Sequence, residues 1–255
     1  MAIIIKSEKE IDIMRQAGHI NALAFQAMSR AVHPGVTTKE LDRIAEDVIR
    51  THGGTPAFLN YPNGSYPGHP YPATITASIN SELVHGIPGK RRLKAGDIVS
   101  LDCGTTWKGF VGDSAITLPV GHVSVETTRL LEVTSKALEL AIDAARVGNR
   151  FGDISATIQE WVESQGFQVV REYTGHGVGR DMHEDPQILN WGKHGRGALL
   201  RPGMTFALEP MVTVGPPILY VKRDRWTVAT KDKGLCAHFE HTIAVTDAGP
   251  EILTI

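Results

Sequence analysis

The chain has 255 residues, of which 42% are hydrophobic and 21% charged, with a formal net charge of -2 and a pI near 6.6. This composition is typical of a soluble globular protein large enough to enclose a polar site. The nearly balanced charge gives no electrostatic reason to expect a specific nucleic acid or a membrane as the main partner. A small or peptidic substrate is the better expectation.

The cellular compartment is indicated by what the sequence lacks. The segment from Met1 to Lys6 has too few apolar residues for the core of a signal peptide, and no later segment approaches the ~18 apolar residues of a membrane span. Two cysteines, Cys103 and Cys236, are too few for a disulfide framework, and their strand-like surroundings suit reduced, buried thiols. We therefore expect a cytoplasmic protein.

Two pairs of helices are predicted. Ser7 and Glu10 have the spacing of a capping box and open an amphipathic helix that should end near position 34. Thr37 and Glu40 repeat this spacing and open a second helix, which should stop near position 53. A further pair is expected at about 125–146 and through 154–162. Strand-like segments follow each pair, at 98–102 and 110–118, then at 204–214 and 237–245.

The helix breaks suggest an internal duplication. Gly35 and Gly148 lie 113 positions apart (148 − 35), and so do Gly53 and Gly166 (166 − 53). The pattern predicts two α+β halves, at roughly 7–120 and 121–250, within a single domain, 1–255. Chance agreement remains the alternative, because residue identity between the halves is weak.

The tract 61–72 contains too many prolines and glycines for regular structure. Two interpretations remain open at this point. The tract is either a surface insertion or, because it carries aromatic side chains on a long loop, the rim of a substrate pocket.

Four acids occupy positions where apolar residues would be expected. Strand alternation places Asp102 at the end of a buried run, and Asp113 lies within the next strand. Glu209 and Glu240 lie in apolar strands, where a lone ionised carboxylate would cost several kcal/mol. Taken singly, each acid could be a turn or edge residue, but as a set the acids suit divalent cations.

Several histidines accompany these acids. His176 lies between glycines that would let the backbone approach a metal or substrate, while His183 and His85 lie in loop-like segments. Alternation places His238 on the same face as Glu240 and His241 on the opposite face. Taken singly, His176, His183 and His85 would each more often be a loop or packing histidine.

The segment Tyr173 to Trp191, with the sequence YTGHGVGRDMHEDPQILNW, resembles the signature of the type I methionine aminopeptidases. The motifs around the other candidate acids and around His85 also resemble that family, so the resemblance covers nearly the whole chain. It implies the α/β (α+β) pita-bread fold, with two helix-pair and antiparallel-sheet halves around a central dinuclear site. The implied metal ligands are Asp102, Asp113, His176, Glu209 and Glu240.

The resemblance also implies the chemistry. Two divalent ions (Co, Mn, Fe, Zn or Ni) would be bound, and a hydroxide bridging them would hydrolyse the bond after an N-terminal methionine that precedes a small second residue. Glu209 would accept a proton, and His85 and His183 would be catalytic and contact substrate. The remaining implied substrate-binding residues are Phe58, Tyr61, Tyr71 and Trp226. Phe58, Thr76 and Met182 depart from the residues common at their positions in the family.

The implied partners are methionyl peptides and nascent chains, with a transient ribosome contact and a monomeric state as further expectations. Two alternatives remain. One is a proline-directed peptidase of the same fold, although those enzymes usually carry an N-terminal domain for which the first helix, beginning near Ser7, leaves no space. The other is a non-catalytic binding relative, although such proteins typically lose ligands, and all five ligand positions are filled here.

Overall fold

The structure, a computed structural model, describes residues 3–255. Met1 and Ala2, where the segment judged too polar for a signal peptide begins, lie outside the described residues. None of the helices within 3–255 is both long enough and apolar enough to cross a membrane.

Four helices and fifteen strands make up the fold between residues 3 and 255. The helices are α1 (Glu8–Ala31), α2 (Thr38–Thr51), α3 (Val125–Ala144) and α4 (Phe151–Ser164). The strands are β1 (Thr55–Pro56), β2 (Ile75–Ile79), β3 (Glu82–Val84), β4 (Ile98–Trp107), β5 (Phe110–Pro119), β6 (Gln168–Val169), β7 (Thr174–Gly177), β8 (Glu184–Leu189), β9 (Thr205–Leu208), β10 (Met211–Thr213), β11 (Leu219–Val221), β12 (Val228–Thr230), β13 (Cys236–His238), β14 (Glu240–Thr246) and β15 (Gly249–Ile252).

The predicted helix starts are confirmed by their caps. The backbone N–H of Ser7 donates to Glu10 Oε2 at 3.0 Å, and that of Thr37 donates to Glu40 Oε2 at 2.8 Å. These bonds satisfy amide groups that have no partner inside the helix. Helix α3 ends at Ala144, two residues before the predicted end.

The 113-residue spacing recurs in the backbone. Helix α2 spans 38–51 and α4 spans 151–164, so both ends are displaced by the same 113 positions. Gly35 and Gly148 have φ angles of 100° and 96°, a left-handed conformation that glycine adopts without steric cost. The two helix pairs therefore share the same breaks. The assignment of halves at 7–120 and 121–250 stays a prediction.

One antiparallel sheet of nine strands joins the regions that follow the two helix pairs. Its strand order is β1-β4-β5-β14-β9-β7-β8, with β2 paired to β4 and β15 paired to β14. The junction is the β5·β14 pair, in which Ala115 lies opposite Glu240. Two smaller sheets, β13-β10-β6 and β11-β12-β3, lie beside it. Strands distant in sequence are therefore neighbours at the centre.

Two predicted strands are each divided in the structure. The segment 204–214 separates at Glu209 and Pro210 into β9, in the large sheet, and β10, in a small one. Proline has no N–H to donate to a ladder, which favours a break there. The segment 237–245 likewise separates at Phe239 into β13 and β14.

Helix α1 covers one face of β4 and β5. Asn21, fully buried, donates through Nδ2 to Cys103 O at 2.6 Å and to Ser114 Oγ at 2.8 Å. A Cβ on Gly112 would lie 2.7 Å from Gly18 N, so glycine permits this close approach. Because α1 occupies this face of β4 and β5, the opposite face is left for the polar site.

Cys103 and Cys236 are buried and free, as predicted.

Candidate metal centre

A cavity of about 320 Å³ lies over the helix-free face of the large sheet. We use two names for its sides. The sheet wall consists of Asp102, Asp113, His176, Glu209 and Glu240. The loop wall consists of Phe58, Tyr61, Tyr71, His85, His183 and Trp226. Every candidate site residue from the sequence analysis therefore lines one cavity.

Strand register brings three of the acids together. Ala115 on β5 lies opposite Asp102 on β4 and opposite Glu240 on β14, so these residues form a row across three strands. Asp113 lies two residues before Ala115 and therefore on the same face. The small alanine side chain leaves room for the longer carboxylates around it.

The rest of the sheet wall is built in a similar way. His176 on β7 lies opposite Ala207 on β9, and Glu209 follows two residues later, just beyond the end of that strand. Ala207 also lies opposite Thr242 on β14, two residues after Glu240. An alanine thus sits beside the ligand candidates in both parts of the sheet.

The side-chain atoms of the sheet wall converge without hydrogen bonding to one another. Asp113, His176 and Glu240 each offer a ligand atom within 4.8 Å of the others. His176 Nε2 lies 3.8 Å from Asp113 Oδ2 and 3.5 Å from Glu209 Oε1, beyond normal hydrogen-bond length. The spacing suits cations between these atoms better than direct bonds.

The tautomer of His176 is set by the backbone. Its Nδ1 lies 3.0 Å from the carbonyl oxygen of Gly177, and because a carbonyl can only accept, Nδ1 carries the proton. Burial lowers the pKa of His176 to about 3, so the ring is neutral and Nε2 presents a lone pair. A lone pair facing carboxylates is repulsive unless a cation lies between them.

The four buried carboxylates would also be stabilised by a cation. Burial raises the pKa of each, and repulsion from Asp113 adds to the effect at the other three. Asp102 Oδ1 and Asp113 Oδ1 are buried without a hydrogen-bond partner among residues 3–255. Within that range, the only basic side chains at ion-pair distance from these acids are histidines, and no lysine or arginine neutralises them. The donor set therefore fits divalent metal.

His238 also lines the cavity, although the sequence analysis did not include it among the site residues. Its Nε2 lies 3.7 Å from Glu209 Oε2 and 3.9 Å from Glu240 Oε2. The signal was present, because alternation placed His238 on the same face as Glu240. His241 was expected on the opposite face, and there its Nδ1 contacts Thr254 Oγ1 at 2.8 Å.

On the loop wall, His183 lies close to the sheet wall. Its ring centroid is 4.2 Å from that of His176, and its Nδ1 lies 2.6 Å from the hydroxyl oxygen of Tyr61. Partial burial lowers the pKa of His183, which favours the neutral ring. The ring is accessible from the cavity and held by Tyr61, so it is placed to contact a bound molecule.

The turn that carries His183 is anchored from the N-terminal segment. The next residue, Glu184, forms an ion pair with Lys6, and the two side chains are 5% and 3% exposed. Glu184 Oε1 also accepts from the backbone N–H of Arg180 at 2.9 Å. A Cβ on Gly179 would lie 2.3 Å from Glu184 Oε1, so glycine leaves space for the pair.

His85 follows β3 in an uncommon backbone conformation, with φ of 60°. A left-handed non-glycine residue costs about 1–2 kcal/mol, so the surrounding structure must hold it there. Its ring packs edge-on against Tyr173 and Trp226, and burial lowers its pKa to about 4. The neutral ring lines the cavity as a second potential hydrogen-bond donor.

Aromatic rings form the apolar part of the loop wall. Tyr71 contacts Phe58 and Trp226 edge-to-face, with centroid distances of 6.4 and 5.1 Å. Tyr71 is 2% exposed. Its hydroxyl lies within hydrogen-bond distance of two backbone carbonyl oxygens, Ile75 O at 3.0 Å and Gly86 O at 2.9 Å, and donates to one of them. The ring is therefore rigidly placed.

The tract 61–72 forms no helix or strand and contacts the turn between β11 and β12. Asn63 Nδ2 donates to Arg225 O at 3.0 Å, and Trp226 Nε1 donates to His69 O at 3.0 Å. Residues from both segments line the cavity. Of the two interpretations left open by the sequence, these contacts favour the pocket rim.

Comparisons with known proteins identify the family of this chain. The model of Metallopeptidase family M24 matches residues 12–247. The chain is similar to the methionine aminopeptidase 1 of Bacillus subtilis, with 49% identity over 252 residues and 99% of each chain covered. It is also similar to the crystal structure of a methionine aminopeptidase from Thermotoga maritima, with 44% identity, a TM-score of 0.95 and 99% of each chain covered.

An Xaa-Pro dipeptidase from Bacillus anthracis shares the fold at a TM-score of 0.77 but only 24% identity, with 98% of this chain and 61% of that chain covered. The predicted pita-bread fold is thereby confirmed, and so is the predicted resemblance to the methionine aminopeptidases. With its acids and histidine gathered on one sheet face, this chain belongs to metallopeptidase family M24.

Proposed function

We propose that this protein is a metal-dependent methionine aminopeptidase that removes the N-terminal methionine from peptides and nascent proteins. The observation that carries the proposal is the convergence of the five sheet-wall side chains beside an aromatic cavity of about 320 Å³. Relatives at 47% and 49% identity over 99% of the chain carry the name methionine aminopeptidase, which supports the same conclusion.

The sheet wall would hold two divalent ions. Asp113 and Glu240, central in the cluster, would be shared between the ions, with Asp102 on one side and His176 and Glu209 on the other. Carboxylate and imidazole ligands suit Mn, Fe, Co, Ni and Zn. Such ions would polarise the scissile carbonyl and lower the pKa of a water molecule.

The protein's own groups would then position the peptide and move protons. Glu209 lies at the edge of the cluster and, as a carboxylate, would accept a proton from the attacking water. His183 and His85, both neutral, would donate hydrogen bonds to the oxygen that gains charge in the transition state. Tyr61 would keep the His183 ring in place through its 2.6 Å contact.

The loop wall provides a reason for methionine preference. A flexible, polarisable thioether packs well against aromatic rings, and Phe58, Tyr71 and Trp226 offer such rings. Met182 is buried nearby. A Cβ on Gly104 would lie 2.6 Å from Met182 Cε, so the glycine at position 104 leaves space for the Met182 side chain. A small second residue would be preferred because a larger one would contact the wall.

The direct test is turnover of Met-Ala-Ser compared with an Ala-Pro peptide by protein reconstituted with each candidate metal, with metal content measured alongside. We expect metal-dependent release of methionine and no release of alanine. Preferential cleavage of Ala-Pro would assign a proline-directed activity instead. Failure to cleave either peptide in protein shown to contain metal would favour a non-catalytic relative.

Several finer expectations belong to this proposal. They are a cytoplasmic location, a monomeric state, a transient contact with the ribosome during synthesis, and one catalytic domain at 1–255. Their support is the family to which the chain belongs.

A further inference from the structure

His238 is held rigidly beside the sheet wall. It ends β13, and its backbone N–H donates to Thr117 Oγ1 at 2.9 Å while its carbonyl oxygen accepts from the same hydroxyl at 2.7 Å. Thr117 Oγ1 in turn lies 2.8 Å from Ser100 Oγ. The residue is 2% exposed, so its ring has little freedom to turn away from the cavity.

Both ring nitrogens of His238 are without a hydrogen-bond partner among residues 3–255. A buried polar group left without a partner costs about 1–3 kcal/mol, and native proteins contain few such groups. An ion or ligand that is bound when the protein is active would remove at least part of this cost.

Glu209 lies between the imidazole rings of His176 and His238, with one carboxylate oxygen near the Nε2 of each ring. Its Oε1 is 3.5 Å from His176 Nε2, and its Oε2 is 3.7 Å from His238 Nε2. Both distances exceed a hydrogen bond, but both are below about 4.2 Å, the span of two metal–ligand bonds of about 2.1 Å each. By this pairwise distance, His238 could share an ion with Glu209, as His176 could.

We propose that His238 is a sixth protein ligand, which binds through Nε2 a metal ion held together with Glu209. This inference rests on the proposed function in requiring a metal centre, and it adds a ligand to the five that the family resemblance implies. It gives the ion beside Glu209 one more nitrogen donor, and nitrogen donors favour Fe, Co, Ni and Zn over Mn. The order of metal affinities should therefore depend on His238.

The test is a calorimetric titration of metal-free protein with CoCl₂ and with MnCl₂, which requires no turnover. His238→Phe keeps a ring but removes both nitrogens, and His241→Phe is the matched control because His241 bonds to Thr254 on the other side of the strand. We expect cobalt affinity to fall at least about 10-fold in His238→Phe, with a smaller loss for manganese. The visible spectrum of bound cobalt should change with the loss of nitrogen.

The proposal is overturned if His238→Phe binds cobalt with wild-type affinity and an unchanged spectrum. If the variant does not fold, a crystal structure of the cobalt-loaded wild type decides the matter, because Nε2 farther than about 3 Å from every ion excludes ligation. Failure of the proposed function is distinguishable from both results. It would appear as a metal-loaded wild type that binds cobalt but does not cleave methionyl peptides.

Discussion

The two sides of the cavity are built by different means. The sheet wall comes from strands whose ladders determine which residues are neighbours, as in the row of Asp102, Ala115 and Glu240. The loop wall comes from segments between strands, such as the turn with His183 and the tract 61–72. The positions of its side chains depend on single contacts, such as that between the Tyr61 hydroxyl and His183 Nδ1. Under the proposed function, regular structure would bind the metal ions and loops would recognise the peptide.

This comparison separates two kinds of failure. A change in the sheet wall should remove metal and activity together, whereas a change in the loop wall should spare the metal and affect the peptide. A change on the helix-covered face of the same sheet should affect neither. Four substitutions examine these cases in order of expected effect.

The largest effect is expected for Asp113→Ala, which removes a proposed central metal ligand of the sheet wall. We expect at least about a 10³-fold loss of activity, because metal chemistry supplies several kcal/mol of transition-state stabilisation. The fold should survive, since the backbone of Asp113 is held by Thr242 at 3.0 Å and one buried repelling charge is lost.

The measurements for Asp113→Ala are turnover, metal content and thermal unfolding of the metal-free protein. Asp47→Ala, on the exposed surface of α2, is the matched control and should behave as wild type. Full metal content with near-normal turnover would show that Asp113 is not a shared ligand.

In the loop wall, His183→Ala should lower kcat by about 10²–10³-fold, the usual cost of losing one preorganised hydrogen-bond donor to the transition state. KM should change less and metal content not at all. His194→Ala, an exposed histidine remote from the cavity, controls for general effects. Metal depletion that excess metal rescues would instead place His183 among the ligands.

A smaller kinetic effect is expected for Tyr71→Ala, which removes the ring between Phe58 and Trp226. KM for methionyl peptides should rise more than kcat falls, because ground-state and transition-state binding are lost alike. Stability should also fall by about 3–5 kcal/mol, the usual cost of truncating a buried aromatic ring.

Tyr71→Phe separates the two consequences, since it keeps the ring and removes the hydroxyl that donates to a backbone carbonyl. It should retain wild-type KM while losing some stability. Steady-state kinetics and thermal unfolding measure both, with the exposed Tyr220→Ala as control. An unchanged KM in folded Tyr71→Ala would mean that the ring only supports the loop.

The smallest effect is expected for Cys103→Ser, which lies next to Asp102 but on the helix-covered face. Metal stoichiometry and turnover should match wild type, with a modest stability loss from a buried hydroxyl. Asp102→Asn is the contrasting variant and should bind metal more weakly. Loss of metal in a folded Cys103→Ser protein would contradict the assignment of strand faces.

Much of the candidate site was predictable because its signals are local. A carboxylate inside an apolar segment, as at Glu209, is recognisable without knowing its neighbours, and alternation correctly separated His241 from Glu240. His238 was missed because a single histidine in a strand is ambiguous. Its meaning depends on Glu209, 29 positions earlier (238 − 209), which reaches it only after the fold forms.

The sequence by itself determined the features that depend on nearby residues: the caps at Ser7 and Thr37, the glycine breaks and the buried faces of helices and strands. The tertiary structure decided which strands became neighbours, including the β5·β14 junction and the division at Pro210. It also decided that the tract 61–72 lines the cavity. The physical reason is range: capping and periodicity act over a few residues, whereas pairing and cavity shape depend on contacts between distant segments.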